Sequence, residues 1–183
     1  MVGAEGAPGR PAGWRVVRSL RDRESAPWAN GLGSTTELVG LDEEVPGIVR
    51  DGRRWKLSVA DLQQPADFSP LPGLHRTFVP VGASVSLEVD GRVHLVGDGV
   101  LLRFGGGAAT ALVALSAPCN AVNLMAESAD FDLRVVTSAA DAPGAIVLIA
   151  LADSELVSRF DLLVPDGSLG NGDLPASLGA IVA

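Results

Sequence analysis

Period-two alternation of apolar and polar residues, interrupted by turn signals, is the feature that most limits what this chain can fold into. In "SVSLEVDGRVHLV", Val85, Leu87 and Val89 alternate with Ser84, Ser86, Glu88 and Asp90, and Asp90-Gly91 suits a two-residue hairpin turn. Val93 and Leu95 resume the pattern, which assigns His94 to the polar face. The same period sets Trp55, Leu57 and Val59 against Lys56, Ser58 and Ala60, and Phe131, Leu133 and Val135 against Asp132, Arg134 and Val136. Each reads as a strand with one buried face. "AIVLIALA" and "RFDLLV" are continuous apolar runs, expected of strands covered on both sides. With "WRVVRSL", and with "VLLRF" and "TALVALSA" flanking Gly105-Gly106-Gly107, roughly ten short strands are predicted. That pattern favours a β-sandwich or barrel over an α/β fold.

A chain of 183 residues suits one domain, and a hydrophobic fraction of 47% supplies a core. The expected organisation is a Gly/Pro-rich leader over 1–13, a domain over 14–165 and a loosely packed tail over 166–183. The net charge of −8, without a basic stripe, argues against nucleic-acid binding. The apolar run from Ala145 to Ala152 is far shorter than the roughly 20 residues a membrane helix needs. A single cysteine, Cys119, excludes an intrachain disulfide and fits a reducing compartment, so the cytoplasm is the expected location.

The stretch "PWANGLGSTTEL" invites a phosphate-loop reading, but Gly31-Leu32-Gly33 lacks the Lys, the third glycine and the following helix that phosphate loops require. His75 and His94 stand 19 residues apart without ligand spacing, so no metal is expected. Cys119 among apolar neighbours reads as a small core residue. Arg76, in "FSPLPGLHRTFVPVG", falls where a loop enters a strand and can either grip a carboxylate or form a surface ion pair. Trp28, Asn30, Thr35, Thr36 and Glu37 can supply a stacking wall with polar contacts, or a plain turn and edge strand. Composition leaves both pairs of readings open.

Taken in order, "PWANGLGSTTEL", "WKLSVADL", "FSPLPGLHRTF" and the later "NLM" resemble the motif series of the HutD/Ves family over about residues 14–136. That resemblance implies an all-β, RmlC-like cupin β-barrel, with a bicupin of two similar halves open, and neither metal nor cofactor. It implies a binding protein for a small carboxylate such as urocanate or an N-formylglutamate-like metabolite, with a regulatory role in histidine utilisation. Carried over position by position, the site would comprise Trp28, Asn30, Thr36, Glu37, Trp55, Ser58, Phe68, Ser69, Arg76 and Asn123, with Arg76 the partner of the ligand carboxylate. The chain departs from the motifs at Ala29, where Lys is usual, at Leu32, where Gly is usual, and at Val122, where Asp is common. The alternative is a metal-independent isomerase or hydrolase using Glu37 or His75 as general acid or base. A homodimer is compatible with either reading.

Overall fold

A computed structural model describes residues 13–165, 167 and 169–182. Most of the expected leader lies outside the described residues. Every strand pairing is antiparallel, and the strands form three sheets. The middle sheet runs β2 (Ser25–Pro27), β3 (Gly33–Val39), β4 (Trp55–Leu62), β11 (Cys119–Ala126), β6 (His75–Val81), β9 (Leu102–Gly105). On one side lies a small sheet of β5 (Ala66–Phe68), β10 (Thr110–Leu115), β7 (Val85–Val89) and β8 (Arg92–Val96). On the other lies a sheet of β1 (Trp14–Arg18), β14 (Leu162–Pro165), β13 (Ala145–Ala150), β15 (Leu178–Val182) and β12 (Asp132–Val136). No helix among the described residues is long and apolar enough to cross a membrane.

The middle sheet carries a buried apolar cluster on each face, and this is where simple alternation misleads. Trp55, Leu57 and Val59 of β4 pack with Val147, Ile149 and Leu162 of the β13/β14 sheet. Ala60 and Leu62 face Leu87 and Leu112 of the small sheet instead. β4 is therefore covered on both sides, not on one. A third apolar cluster, including Leu148, Leu163, Leu178 and Leu174, fills the far side of the β13 sheet. The double coverage expected of "AIVLIALA" is a direct consequence.

The expected hairpin forms between β7 and β8, with Asp90 at φ 48° and Gly91 at φ 78°, the two left-handed positions a type I′ turn requires. The phase of β8 is the reverse of the expected one. His94 pairs with the fully buried Leu87, so it shares the inner side, while Val93 and Leu95 are 59% and 80% exposed. Residues 178–182 also correct the sequence reading of a loose tail: β15 lies between β13 and β12 and is buried. Gly179 allows this, because a Cβ there would stand 2.7 Å from Ile149 Cγ2. The expectation of two similar halves is not confirmed, since one sheet serves both sandwiches.

Trp55 is fully buried and stacks on Phe131, with ring centroids 5.4 Å apart. Trp55→Ala is expected to cost about 3–5 kcal/mol of stability, as large aromatic truncations in cores do. Urea unfolding should show the midpoint falling with an unchanged slope.

Candidate functional site

The site grows out of cross-strand register. β4 and β11 pair without interruption, so Ser58 stands directly opposite Asn123 and Lys56 opposite Met125. β11 and β6 continue the row, setting Met125 opposite Arg76. Directly opposed residues point to the same face, so Lys56, Ser58, Arg76, Asn123 and Met125 share the face that looks toward the small sheet. Together with Thr35 and Ala60 they line a cavity of about 490 Å³ between the two sheets. That is ordinary ligand-pocket size, roughly 300–1,000 Å³.

Arg76 is the chemical centre of this cavity. The residue is 9% exposed, its Nε has no hydrogen-bond partner among the described residues, and the guanidinium stands 5.4 Å from the Phe68 ring and 5.8 Å from the Phe104 ring. Burial is the sole cause that pushes its pKa down, to about 10, so the group remains charged at neutral pH. Ser58 Oγ and Asn123 Oδ1 are also buried without partners. All three residues line the same cavity, where the guanidinium can donate to an anion, the Ser58 hydroxyl can donate or accept, and the free Asn123 Oδ1 can accept from a ligand donor. Of the residue types that commonly bind metals through imidazole, thiolate or carboxylate, the lining holds Asp67.

The opening motif builds the cavity's outer wall. A tight turn closes through Gly31 N–H donating to Trp28 O and Trp28 N–H donating to Gly33 O, both at 2.9 Å, with Gly31 at φ 68°. Asn30 Oδ1 accepts the Leu32 N–H at 3.0 Å. The Trp28 indole N–H donates to Thr35 Oγ1 at 2.8 Å, and its ring meets Phe68 edge-on at 5.9 Å between centroids. Gly33 is required for this packing, because a Cβ there would come within 3.0 Å of the indole carbons and 2.8 Å of Asp61 O. The glycines of this loop position an aromatic wall.

A HutD family model matches residues 20–157. The chain belongs to the HutD family. HutD from Pseudomonas fluorescens SBW25, solved in a formate condition, superposes with TM-score 0.66 at 24% identity over 92% of this chain and 97% of that one. A conserved protein of unknown function from Pseudomonas aeruginosa PAO1 gives TM-score 0.68 at 23% identity, over 92% and 97%. A Cupin_2 domain of an XRE-family transcriptional regulator from Enterobacter cloacae gives TM-score 0.42 at 14% identity, over 51% and 95%. No curated protein matches the chain. The fold is all-β, as expected, and is shared with the two Pseudomonas structures.

In this HutD chain the cavity gathers seven of the ten expected site residues: Trp28, Asn30, Ser58, Phe68, Ser69, Arg76 and Asn123. Three are elsewhere. Trp55 lies on the opposite face of β4, in the core against the β13 sheet. Thr36 pairs with Val59 and shares that face. Glu37 is on the cavity side but outside its lining, paired with Lys56 at 3.7 Å. His75 is exposed and precedes Arg76 on β6, hence on the other face of that strand. Glu37 and His75, each the alternative general acid or base, both lie outside the cavity lining. The sequence reading missed Lys56, Ala60, Asp67, Leu71 and Met125, whereas Thr35, singled out with the opening motif, does line the cavity. Alternation had the signal for several of them: accepting Ser58 admits Lys56 and Ala60 and ejects Trp55.

A nearly buried cation with no ion pair among the described residues destabilises the free protein, and two cation–π contacts of roughly 0.5–1 kcal/mol each only partly offset that. Arg76→Met is therefore expected to raise the stability of the ligand-free protein by about 1–3 kcal/mol. Folded and unfolded states both carry the proton below pH about 10, so the gain should be constant through the neutral range. Thermal unfolding at pH 7 checks it.

Proposed function

We propose that the Arg76 cavity holds a small carboxylate metabolite, of the urocanate or N-formylglutamate type, and that this binding serves a regulatory role in histidine utilisation. Membership of the HutD family supports the pathway, and one observation carries the chemistry. Arg76, 9% exposed, lines the cavity and has no ion pair among the described residues, so an incoming carboxylate can serve as its partner. The planar fork accepts the two oxygens side by side, an arrangement a carboxylate fits and a neutral amide fits less well. Ser58 and Asn123 supply further hydrogen bonds, and Trp28 and Phe68 cover the apolar part of the ligand. Cys119 is buried and its thiol is pushed up by burial first, then by Asp98 and Asp61, which suits an inert residue in a reducing cytoplasm.

Isothermal titration of the purified protein with urocanate and N-formylglutamate tests the reading. Binding in the wild type should weaken by about 1.5–3 kcal/mol in Arg76→Ala, the scale of hydrogen bonds to charged groups. No binding of either ligand, or equal binding by the variant, would reject it. The pH profile is a second check. The ligand carboxyl gains its proton around pH 4.3, and Arg76 loses its own near about 10. For N-formylglutamate, which has no group titrating in between, affinity should therefore be flat from about pH 6 to 9 and fall on both sides.

A further inference from the structure

Arg76 is not the cavity's only cation. Lys56, the single lysine of the chain, lines the same space and lies in the same cross-strand row, with Met125 of β11 between the two. Two strand spacings separate them, about 10 Å between Cα atoms. Both side chains project from one face of the sheet, so their charged ends bracket the floor that Met125 provides.

Lys56 already has a counter-charge, but a weak one. Its Nζ stands 3.7 Å from Glu37 Oε2, beyond ordinary hydrogen-bond length, and the two side chains are 25% and 46% exposed. A pair this loose and this wet contributes little. Glu37 sits outside the cavity, so releasing Lys56 returns the carboxylate to solvent without burying an unpaired charge.

We infer that Lys56 is a second anion anchor that exchanges Glu37 for the ligand, so that the site prefers metabolites with two carboxylates joined by a short linker. The inference rests on the carboxylate reading above and deepens it by naming the ligand class. One carboxylate is held by Arg76 and the other takes the place of Glu37 at Lys56. A monoacid leaves the Lys56–Glu37 pair intact and uses half of the site's charge. Asp67, the carboxylate in the lining, opposes a dianion more than a monoanion, so the preference that Lys56 creates is net of that repulsion.

Calorimetry with glutarate and with its monoamide separates the two cases, because the probes share length and shape and differ in one charge. The wild-type chain should bind glutarate about tenfold or more tightly than the monoamide, the span expected for a charged hydrogen bond. Lys56→Gln should remove that preference by weakening glutarate about tenfold more than it weakens the monoamide. Glu37→Gln should tighten glutarate binding, since Lys56 no longer has a competitor, and a merely structural role for Lys56 would not produce this. Equal affinity for the two probes in the wild type, both lost in Arg76→Ala, would overturn the second anchor and leave the carboxylate reading standing. Failure of both probes where urocanate binds would likewise overturn it. Failure of both probes and of urocanate and N-formylglutamate would overturn reading and inference together.

Discussion

The unbroken antiparallel ladder between β4 and β11 is the constraint on which the site depends. Its partners run from Leu62–Cys119 to Trp55–Ala126 with no shift of register. A strand without a bulge sends alternate residues to opposite faces, so a single phase settles both destinations: Leu57, Val59, Val122 and Leu124 go to one core, and Ser58 and Asn123 go to the cavity. A one-residue slip would put polar groups into the apolar layer and close the cavity with Val and Leu. The neighbouring strand β3 shows what a shift does. Its register slips between Glu37 and Val39, and the successive residues Leu38 and Val39 both enter the core.

Stability and binding pull against each other around that ladder. Six buried side-chain atoms among the described residues lack hydrogen-bond partners, and three of them, Ser58 Oγ, Arg76 Nε and Asn123 Oδ1, belong to this one cavity. Such groups are normally satisfied in native proteins, because each orphan costs roughly 1–3 kcal/mol. Their concentration here is the opposite of what folding alone would select. The middle sheet tolerates it because its other face and the far side of the β13 sheet are almost wholly apolar. The molecule thus keeps its instability local, at the place where a ligand can relieve it.

Strand positions were legible from period two, and so was the hairpin at Asp90-Gly91, because alternation and turn chemistry are local. What alternation cannot supply is the identity of the layer each face meets. β4 reads as half-exposed because Lys56 and Ser58 are polar, yet they face a cavity rather than bulk solvent. Trp55 reads as a ligand wall because it belongs to a shared motif, yet the motif joins residues of both faces: Trp55 for the core and Ser58 for the cavity. β8 fails for a different reason. It is an edge strand whose outward positions carry Val93 and Leu95, so hydrophobicity points the wrong way and only pairing with Leu87 assigns the phase. β15 was hidden by the turn residues before it, since Gly and Pro mark a loop without specifying the element that the loop leads into.

Two of the three departures from the family motif look complementary in sequence, a missing cation at Ala29 and a missing anion at Val122, and would cancel if they had formed a pair. The fold separates them. Ala29 lines the cavity, whereas Val122 is fully buried on the opposite face of β11, opposite Val59 and Val79. A carboxylate at 122 would enter an apolar layer and a lysine at 29 would enter the ligand space, so neither neutralises the other. The change at 122 bears on packing and the change at 29 on the site. With Ala29 uncharged, the cavity's positive charge falls to Arg76 and Lys56, both projecting from the sheet rather than from the loop. A charge anchored on a strand is held in place by the ladder, which ties ligand selection in this chain to the same register that separates its two cores.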